Sequence, residues 1–235
     1  MIVAFIPARS GSARIPGKNA RLVAGHPLLA YSTRSAIDSG IFTAVYLATD
    51  NEEYADIGID YGARPWWRPH SPANEPDFEW VKAVPETGCD YFAILRPTSP
   101  FRTAETIRRA WAEFQEDGRA DSLRAVSPAK TNPYKMWWYS ADRERIMPVM
   151  DDCHSRGEQP RHSVATQVLP PAYAQNASLE IARTDVIERF GNISGREVMP
   201  FFSRGYEGYD INTEDDWEYA EWLVETGRAK LPEVE

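Results

Sequence analysis

Three times between residues 2 and 116 an apolar, β-prone run ends in a polar loop and gives way to a helical pattern, and this repetition leaves the chain few folds to choose from. Residues 2–6 (Ile-Val-Ala-Phe-Ile) are continuously apolar and lead into Pro7 and a glycine-containing loop, the pattern of a strand buried on both faces. Residues 27–39 read as a helix, with Pro27 suited to the first turn and Gly40 to the stop. Residues 44–48 form a second strand ending at Thr49-Asp50, and Asn51 caps a helix that Gly62 ends. Residues 91–95 form a third strand, which enters Arg96-Pro97-Thr98-Ser99-Pro100 before a helix from about Thr103 to Glu116. The succession predicts a parallel sheet covered by helices, where ligands bind at the carboxyl ends of the strands. The loops placed there are residues 8–19, Asp50 and residues 96–102.

The second half is less regular. Residues 128–175 are rich in proline, polar residues and aromatics, including Trp137-Trp138, and read as an inserted arm or hairpin region. Alternation returns at Ser178-Leu179-Glu180-Ile181. A last strand is expected near residues 207–211, followed by a helix from Thr213 to about Glu225 in which Thr213 and Asp216 have capping-box spacing.

At 235 residues the chain is sized for one large α/β domain with a substantial core. Its net charge of -9 argues against a general nucleic-acid binder. Locally the sign reverses: Arg9, Arg14, Lys18 and Arg21 cluster with no acid among them, the mark of a small anionic ligand held at one loop of an acidic protein. No apolar run reaches the roughly 18–20 residues that span a bilayer, so no membrane partner is expected. The first apolar run has no basic leader or small-residue cleavage site and reads as a strand. Cys89 and Cys153 suggest no disulfide framework, and a reducing cytoplasm is the default.

Three stretches could carry chemistry. In residues 7–19, Gly11 lets the backbone approach a ligand, and backbone amides with Arg9, Arg14 and Lys18 could neutralise a triphosphate and favour pyrophosphate as a leaving group. The loop is neither a Walker A sequence, since five residues separate Gly11 from Gly17 and Asn19 replaces the Ser or Thr, nor a GxGxxG fingerprint. The plain alternative is a solvated basic turn. In residues 209–216, Asp210 and Asn212 lie two apart at an expected strand end and could hold Mg²⁺ against phosphate oxygens, whereas Glu214, Asp215 and Asp216 suit a helix start without any function. In residues 96–102, two prolines stiffen a loop that presents Thr98 and Ser99, and Arg96 or Arg102 could grip a carboxylate; a bare turn is the alternative. Cys153-His154 lacks a second pair for zinc, and His26, His70 and His162 are isolated. The Trp66-Trp67 and Trp137-Trp138 pairs suit packing or interface roles better than base stacking.

Residues 6–19 (Ile-Pro-Ala-Arg-Ser-Gly-Ser-Ala-Arg-Ile-Pro-Gly-Lys-Asn) strongly resemble the opening motif of the N-acylneuraminate cytidylyltransferases, the CMP-sialic acid synthetases. The resemblance continues through Leu47-Ala48-Thr49-Asp50, Arg68-Pro69, Arg96-Pro97-Thr98-Ser99-Pro100-Phe101-Arg102, Asn176-Ala177-Ser178-Leu179-Glu180-Ile181 and Tyr209-Asp210-Ile211-Asn212, in order and over nearly the whole chain. It implies a three-layer, Rossmann-like α/β nucleotidyltransferase fold, with a mostly parallel sheet, helices on both faces and an inserted dimerisation arm, hence a homodimer. It also implies Mg²⁺ as cofactor, with CTP and an acidic sugar as partners. By this analogy Arg9, Lys18 and Asp210 carry catalysis. The nucleotide is held by Ala8, Arg9, Ser10, Gly11, Arg14, Lys18, Asn19 and Arg68. The sugar meets Arg96, Thr98, Ser99, Arg102, Gln167 and Asn176, and the metal meets Asp210 and Asn212. The sequence departs from the family where Asn212 replaces an acid, Arg96 a glutamine and Ala177 a glycine, and it has no clean counterpart of the Pro-Arg-Gln-x-Leu-Pro segment.

The expected reaction is in-line attack of a sugar hydroxyl on the α-phosphorus with release of pyrophosphate, driven by positioning and charge neutralisation. Because the loop reads as polar and exposed, Lys18→Ala is expected to lower turnover far more than it disturbs folding. The rivals are a nucleotidyltransferase for Kdo or for a sugar phosphate with another base, and a non-catalytic nucleotide-sugar-binding module.

Overall fold

The structure, a computed structural model, describes residues 1–12, 14–68, 78–150 and 159–234. The chain divides into two compact units, one made of Met1–Val126 and Asn176–Glu235 and the other of Ser127–Gln175.

The first unit begins with strand β1 (Ile2–Pro7), a small hairpin of β2 (Leu22–Val23) and β3 (His26–Pro27), and helix α1 (Leu28–Ser39). Then come β4 (Ala44–Thr49), α2 (Glu52–Asp60), β5 (Arg64–Trp67), the short α3 (Phe78–Val81), β6 (Tyr91–Ile94), α4 (Ala104–Asp117) and β7 (Ser122–Pro128). In the second unit β8 (Trp137–Ser140) and β9 (Arg145–Pro148) pair as an antiparallel hairpin. The chain returns through β10 (Tyr173–Arg183), α5 (Asp185–Phe190), β11 (Val198–Phe202) and α6 (Glu214–Glu225).

Seven strands form one sheet in the order β11-β7-β10-β6-β1-β4-β5. β1 pairs in parallel with β4 and β6, β4 with β5, and β11 with β7; β10 runs antiparallel to β6. The period of two along β1 sorts its residues between two cores. Ile2, Ala4 and Ile6 join a cluster with Leu29 and Ala36 of α1 and Ile107, Ala110 and Phe114 of α4. Val3 and Phe5 join a cluster with Trp80, Val81, Val186 and Ile187. The sheet therefore carries helices on both faces, as expected of a near-continuous apolar parallel strand.

Local signals explain most boundaries. Asn51 caps α2 by accepting the Tyr54 N–H at 2.9 Å, Thr103 caps α4, and Gly40 closes α1 at φ +69°. Pro27 stands as the N-cap of α1, one residue before the first turn expected for it. The two edge strands each contain a proline, Pro65 in β5 and Pro200 in β11. A proline cannot donate to a ladder and is tolerated at an edge, which is why these two strands carry a weak sequence signal. Trp66 packs on Phe5 and Tyr46 with ring centroids 5.3 Å from each, a packing role.

One expectation fails. Residues 207–211 are not a strand; the last strand is β11, and the chain turns after it, with Glu207 N–H bonded to Arg204 O and Tyr209 N–H to Tyr206 O. The aromatic residues there fill a third core, where Tyr206 and Tyr209 pack around Phe101. That core also holds Ile15, Leu28, Ile211 and Trp217, so it lies beneath the loop after β1 and the start of α6.

Candidate active site

Because β6, β1, β4 and β5 are neighbours and parallel, the segments after them emerge at one edge of the sheet: Arg96, residues 8–19, Asp50 and Arg68. The loop after β1 is anchored from several sides. Ala8 is buried and donates its N–H to Ala48 O at 2.9 Å. Asp50 accepts the Ser10 N–H at 2.8 Å and the Ser10 hydroxyl at 3.1 Å. The Asn19 amide donates to Arg9 O at 3.1 Å, and Asn19 O accepts the Leu29 N–H. Asn19 thus ties the loop to its own start and to α1. A Cβ at Gly11 would meet nothing within 4 Å, so the protein itself does not require glycine there.

Lys18 corrects the reading of an exposed loop. It is only 8% exposed, and its ammonium donates to Ile211 O at 2.8 Å. Burial lowers its pKa below the ordinary lysine value; Asp210 and Asp216 oppose the shift, and Arg14 and Arg9 add to it. Three cations and Asp210 therefore share one electrostatic environment.

Residues 209–216 close over this loop. Arg14 Nη2 donates to Asn212 Oδ1 at 2.7 Å, and the Asn212 amide nitrogen donates to Asp210. Asp210 and Asn212 do face the same side, though from an extended segment and not a strand end. Asp216 is committed to the backbone, accepting the N–H groups of Asn212 at 2.9 Å and Thr213 at 2.8 Å in a capping box. Arg21 pairs with Glu214 at 2.6 Å and lies 4.2 Å over the Trp217 ring, so the start of α6 is bound to the loop by charge as well as by packing. Among the described residues no group of three or more His, Cys, Asp or Glu could hold a metal. A divalent cation here would meet the Asp210 carboxylate beside an amide, Asn212, whose oxygen faces Arg14. One carboxylate completed by phosphate oxygens and water suits Mg²⁺.

In the loop after β6, Thr98 O accepts the Ile211 N–H at 2.8 Å, which joins this loop to the same segment. Ser99 is buried. Arg102, expected as a carboxylate grip, is fully buried. Its guanidinium donates to Ser178 O, to Arg96 O at 3.3 Å and to the Ser32 hydroxyl at 2.7 Å, so it is spent on holding the loop. Complete burial takes its pKa down to about 9, still charged at neutral pH. Arg96 bonds Glu180 at 3.0 Å, and Glu180 in turn pairs with Arg124. Asn176 accepts the Ser178 N–H at 3.1 Å and donates to the Ser203 hydroxyl at 2.9 Å. The local bond from Asn176 stabilises the bend at Ala177, whose φ of +56° is a conformation natural to glycine.

Thus Arg9, Ser10, Arg14, Lys18, Asn19, Asp210 and Asn212 converge directly, and Thr98 joins them through Ile211. Arg68 is buried after β5, its N–H bonded to Thr49 O and its guanidinium 5.9 Å from the Trp80 ring centre. Gln167 belongs to the other compact unit, where it is exposed. His26 bonds Tyr61 at 2.9 Å; the His162 ring lies tilted against Trp137, centroids 4.8 Å apart. His70, Cys153 and His154 lie outside the described residues. Sequence reasoning gave no role to Glu180, quoted only as part of the 176–181 segment, or to Arg124, a lone arginine inside a strand that carries no motif. It named Asp50 only as a loop residue, although strand ends in such sheets are where ligand-side groups collect. A cavity of about 540 Å³ lies at the opposite edge, lined by Cys89, Asp90, Tyr91 and Arg183 among others.

The family described as cytidylyltransferase matches residues 3–136. The chain is 31% identical to the CMP-N,N'-diacetyllegionaminic acid synthase of Legionella pneumophila over 98% of its own length and 99% of that protein. It is 42% identical to the N-acylneuraminate cytidylyltransferase of Escherichia coli O18:K1:H7 over 93% of its length, and spans about half (51%) of that relative. Among solved structures, a CMP:2-keto-3-deoxy-manno-octonic acid synthetase complexed with CTP superimposes with a TM-score of 0.69 at 15% identity, covering 96% of this chain and 99% of that one. The fold is that of a Rossmann-like nucleotidyltransferase, and the chain belongs to the cytidylyltransferase family that includes the CMP-sialic acid synthetases.

Proposed function

We propose that the protein transfers CMP from CTP to a nonulosonic acid, a sialic-acid-like sugar acid, and releases pyrophosphate. The observation that carries this reading is the gathering of Arg9, Arg14 and Asp210 around the buried Lys18 at the carboxyl edge of the sheet. The full-length likeness to a CMP-legionaminic acid synthase supports it.

In this reading Arg9 and Lys18 take the triphosphate, and the backbone amide of Gly11 lines it, with Ser10 locked by Asp50. Lys18 stabilises the charge that builds on the β- and γ-phosphates as the α-phosphorus is attacked. Arg14 is steered by Asn212, and Asn19 shapes the turn that places the base; Arg68 supports the nucleotide from the end of β5. Asp210 holds Mg²⁺, which when bound supplies Lewis-acid neutralisation of the phosphate oxygens. Arg96 and Asn176 face the acceptor sugar, and Arg102 and Ser99 support their loop from within. Exposed Trp138, Tyr139 and Ile146 on the β8–β9 hairpin suit a homodimer contact. No helix among the described residues is long and apolar enough to cross a membrane.

The test is pyrophosphate release by purified protein with Mg²⁺, using CTP, UTP, GTP and ATP against sialic, legionaminic and pseudaminic acids, Kdo and hexose phosphates. Release with CTP and a nine-carbon acid is the expected result. Release only with a sugar phosphate or with another nucleotide rejects the reading.

A further inference from the structure

Beneath the acceptor loop lies a charged triad. Glu180 sits on β10 in register with Ile94 of β6, two residues before Arg96. Its side chain is 3% exposed. Glu180 Oε1 accepts from Arg96 Nη2 at 3.0 Å, and Oε2 pairs with the Arg124 guanidinium. Arg124 is locked in turn: its Nη2 donates to Ile193 O at 2.6 Å and to the Ser194 hydroxyl at 2.8 Å. Stability does not explain this arrangement, because a packed apolar substitute for a buried ion pair is commonly as stable or more so. The geometry instead grades the three groups by access. Arg124 and Glu180 side chains are 7% and 3% exposed, and Arg96 is 28% exposed at the edge where the site lies. Two guanidiniums against one carboxylate leave the triad with one net positive charge, and Arg96 is the member that carries it to the surface.

We propose that Glu180 is a positioning residue for acceptor selection: it fixes Arg96 as the planar cation that receives the carboxylate of the incoming sugar acid, and Arg124 anchors Glu180 from behind. This rests on the function proposed above. A guanidinium takes a carboxylate through two parallel hydrogen bonds only when its plane is correctly turned. Holding that plane before the acceptor arrives removes the ordering cost from binding. An acceptor without a carboxylate, such as an ester of the same sugar, gains nothing from it.

The experiment measures KM for the acid and for CTP separately, by pyrophosphate release, in the wild type and in Arg96→Gln, Glu180→Gln and Glu180→Asp. The acid is one the wild type turns over, and its methyl ester is measured beside it. Arg96→Gln and Glu180→Gln are expected to raise KM for the acid by about tenfold or more, to leave KM for CTP within about twofold, and to erase the preference for acid over ester. Glu180→Gln leaves two buried guanidiniums facing each other; should it fail to fold, Glu180→Asp keeps the charge balance but draws the carboxylate away from Arg96, and is expected to show the same split. An unchanged acid KM in the folded variants, or a parallel rise for acid and CTP, overturns the proposal alone. A wild type that turns over no acid at all overturns the functional reading, and the proposal with it.

Discussion

Asp50 grips Ser10 twice, accepting its backbone N–H at 2.8 Å and its hydroxyl at 3.1 Å from forty residues away in sequence. The segments that follow two neighbouring parallel strands are thereby coupled, and the loop after β1 takes its shape from the residue that follows β4. Position, more than charge, is what Asp50 contributes.

Asp50→Ala removes both bonds and is expected to weaken CTP binding by about tenfold, since hydrogen bonds to a charged group contribute roughly 1.5–3 kcal/mol. Asp50→Asn keeps one acceptor oxygen for the Ser10 N–H and should lose less. Titration calorimetry with CTP ranks the three proteins, and equal affinities would remove Asp50 from the argument.

Lys18→Ala acts on two properties at once. Turnover should fall by orders of magnitude, as expected when a cation facing the leaving group is removed. Stability should also fall, by about 1–3 kcal/mol, because the buried Ile211 carbonyl loses its donor. Denaturant unfolding beside the pyrophosphate assay separates the two, and a variant of unchanged stability would show that the Lys18–Ile211 bond contributes nothing net.

The pH profile should carry the signature of the same residue. Burial holds the Lys18 pKa below that of ordinary lysine, so Lys18 loses its charge, and its hold on the triphosphate, at a lower pH than a free lysine would. The alkaline limb of kcat/KM for CTP, which reports the free enzyme, should therefore have a midpoint below 10.5. In Lys18→Arg whatever activity remains should lose this limb, because the guanidinium stays charged. A limb that persists there belongs to another group.

Gly11→Ala should fold normally, since its added methyl meets open space and the residue does not have a positive φ. If the bound phosphates approach the backbone at Gly11, the methyl stands in their way, and CTP affinity should fall while the melting temperature stays within about 1 °C. Full affinity would place the phosphates elsewhere along the loop.

Ala177→Gly should be stabilising. A non-glycine residue in the left-handed region costs about 1–2 kcal/mol, and the extra freedom of glycine in the unfolded chain returns about 0.4–1 kcal/mol of that. The net gain of about 0.5–1 kcal/mol corresponds to a rise of about 2–3 °C in Tm, read by calorimetry. A lower Tm would show that Asn176 and Ser178 already relieve the strain.

Much of this was legible from the residues. Continuous apolar runs at 2–6, 44–48 and 91–95 announced the central strands, because strands buried on both faces leave an unbroken signal. The cap Asn51 and the capping-box spacing of Thr213 and Asp216 announced their helices. Edge strands were harder: Pro65 and Pro200 interrupt the pattern that identifies a strand, yet sit where the ladder does not need their N–H. The strand expected near 207–211 failed for the opposite reason, since Tyr209 and Ile211 are apolar toward a helix-and-loop core and not toward a sheet. At the site, Arg14, Lys18 and Asn212 were found by motif, but the burial of Lys18 and Arg102 could not be. Both look like surface cations until the carbonyls that receive them, Ile211 and Ser178, are brought alongside from about 190 and 80 residues away.

The bonds from Arg14 to Asn212, Lys18 to Ile211 and Arg21 to Glu214 also bear on how the protein is made. The loop proposed to receive the nucleotide is synthesised nearly two hundred residues ahead of the atoms that set its side chains. The sheet can assemble as synthesis proceeds, but the proposed triphosphate site is not finished until residues 211–214 have been translated. A protein truncated before residue 210 would thus retain its central strands and lose its chemistry.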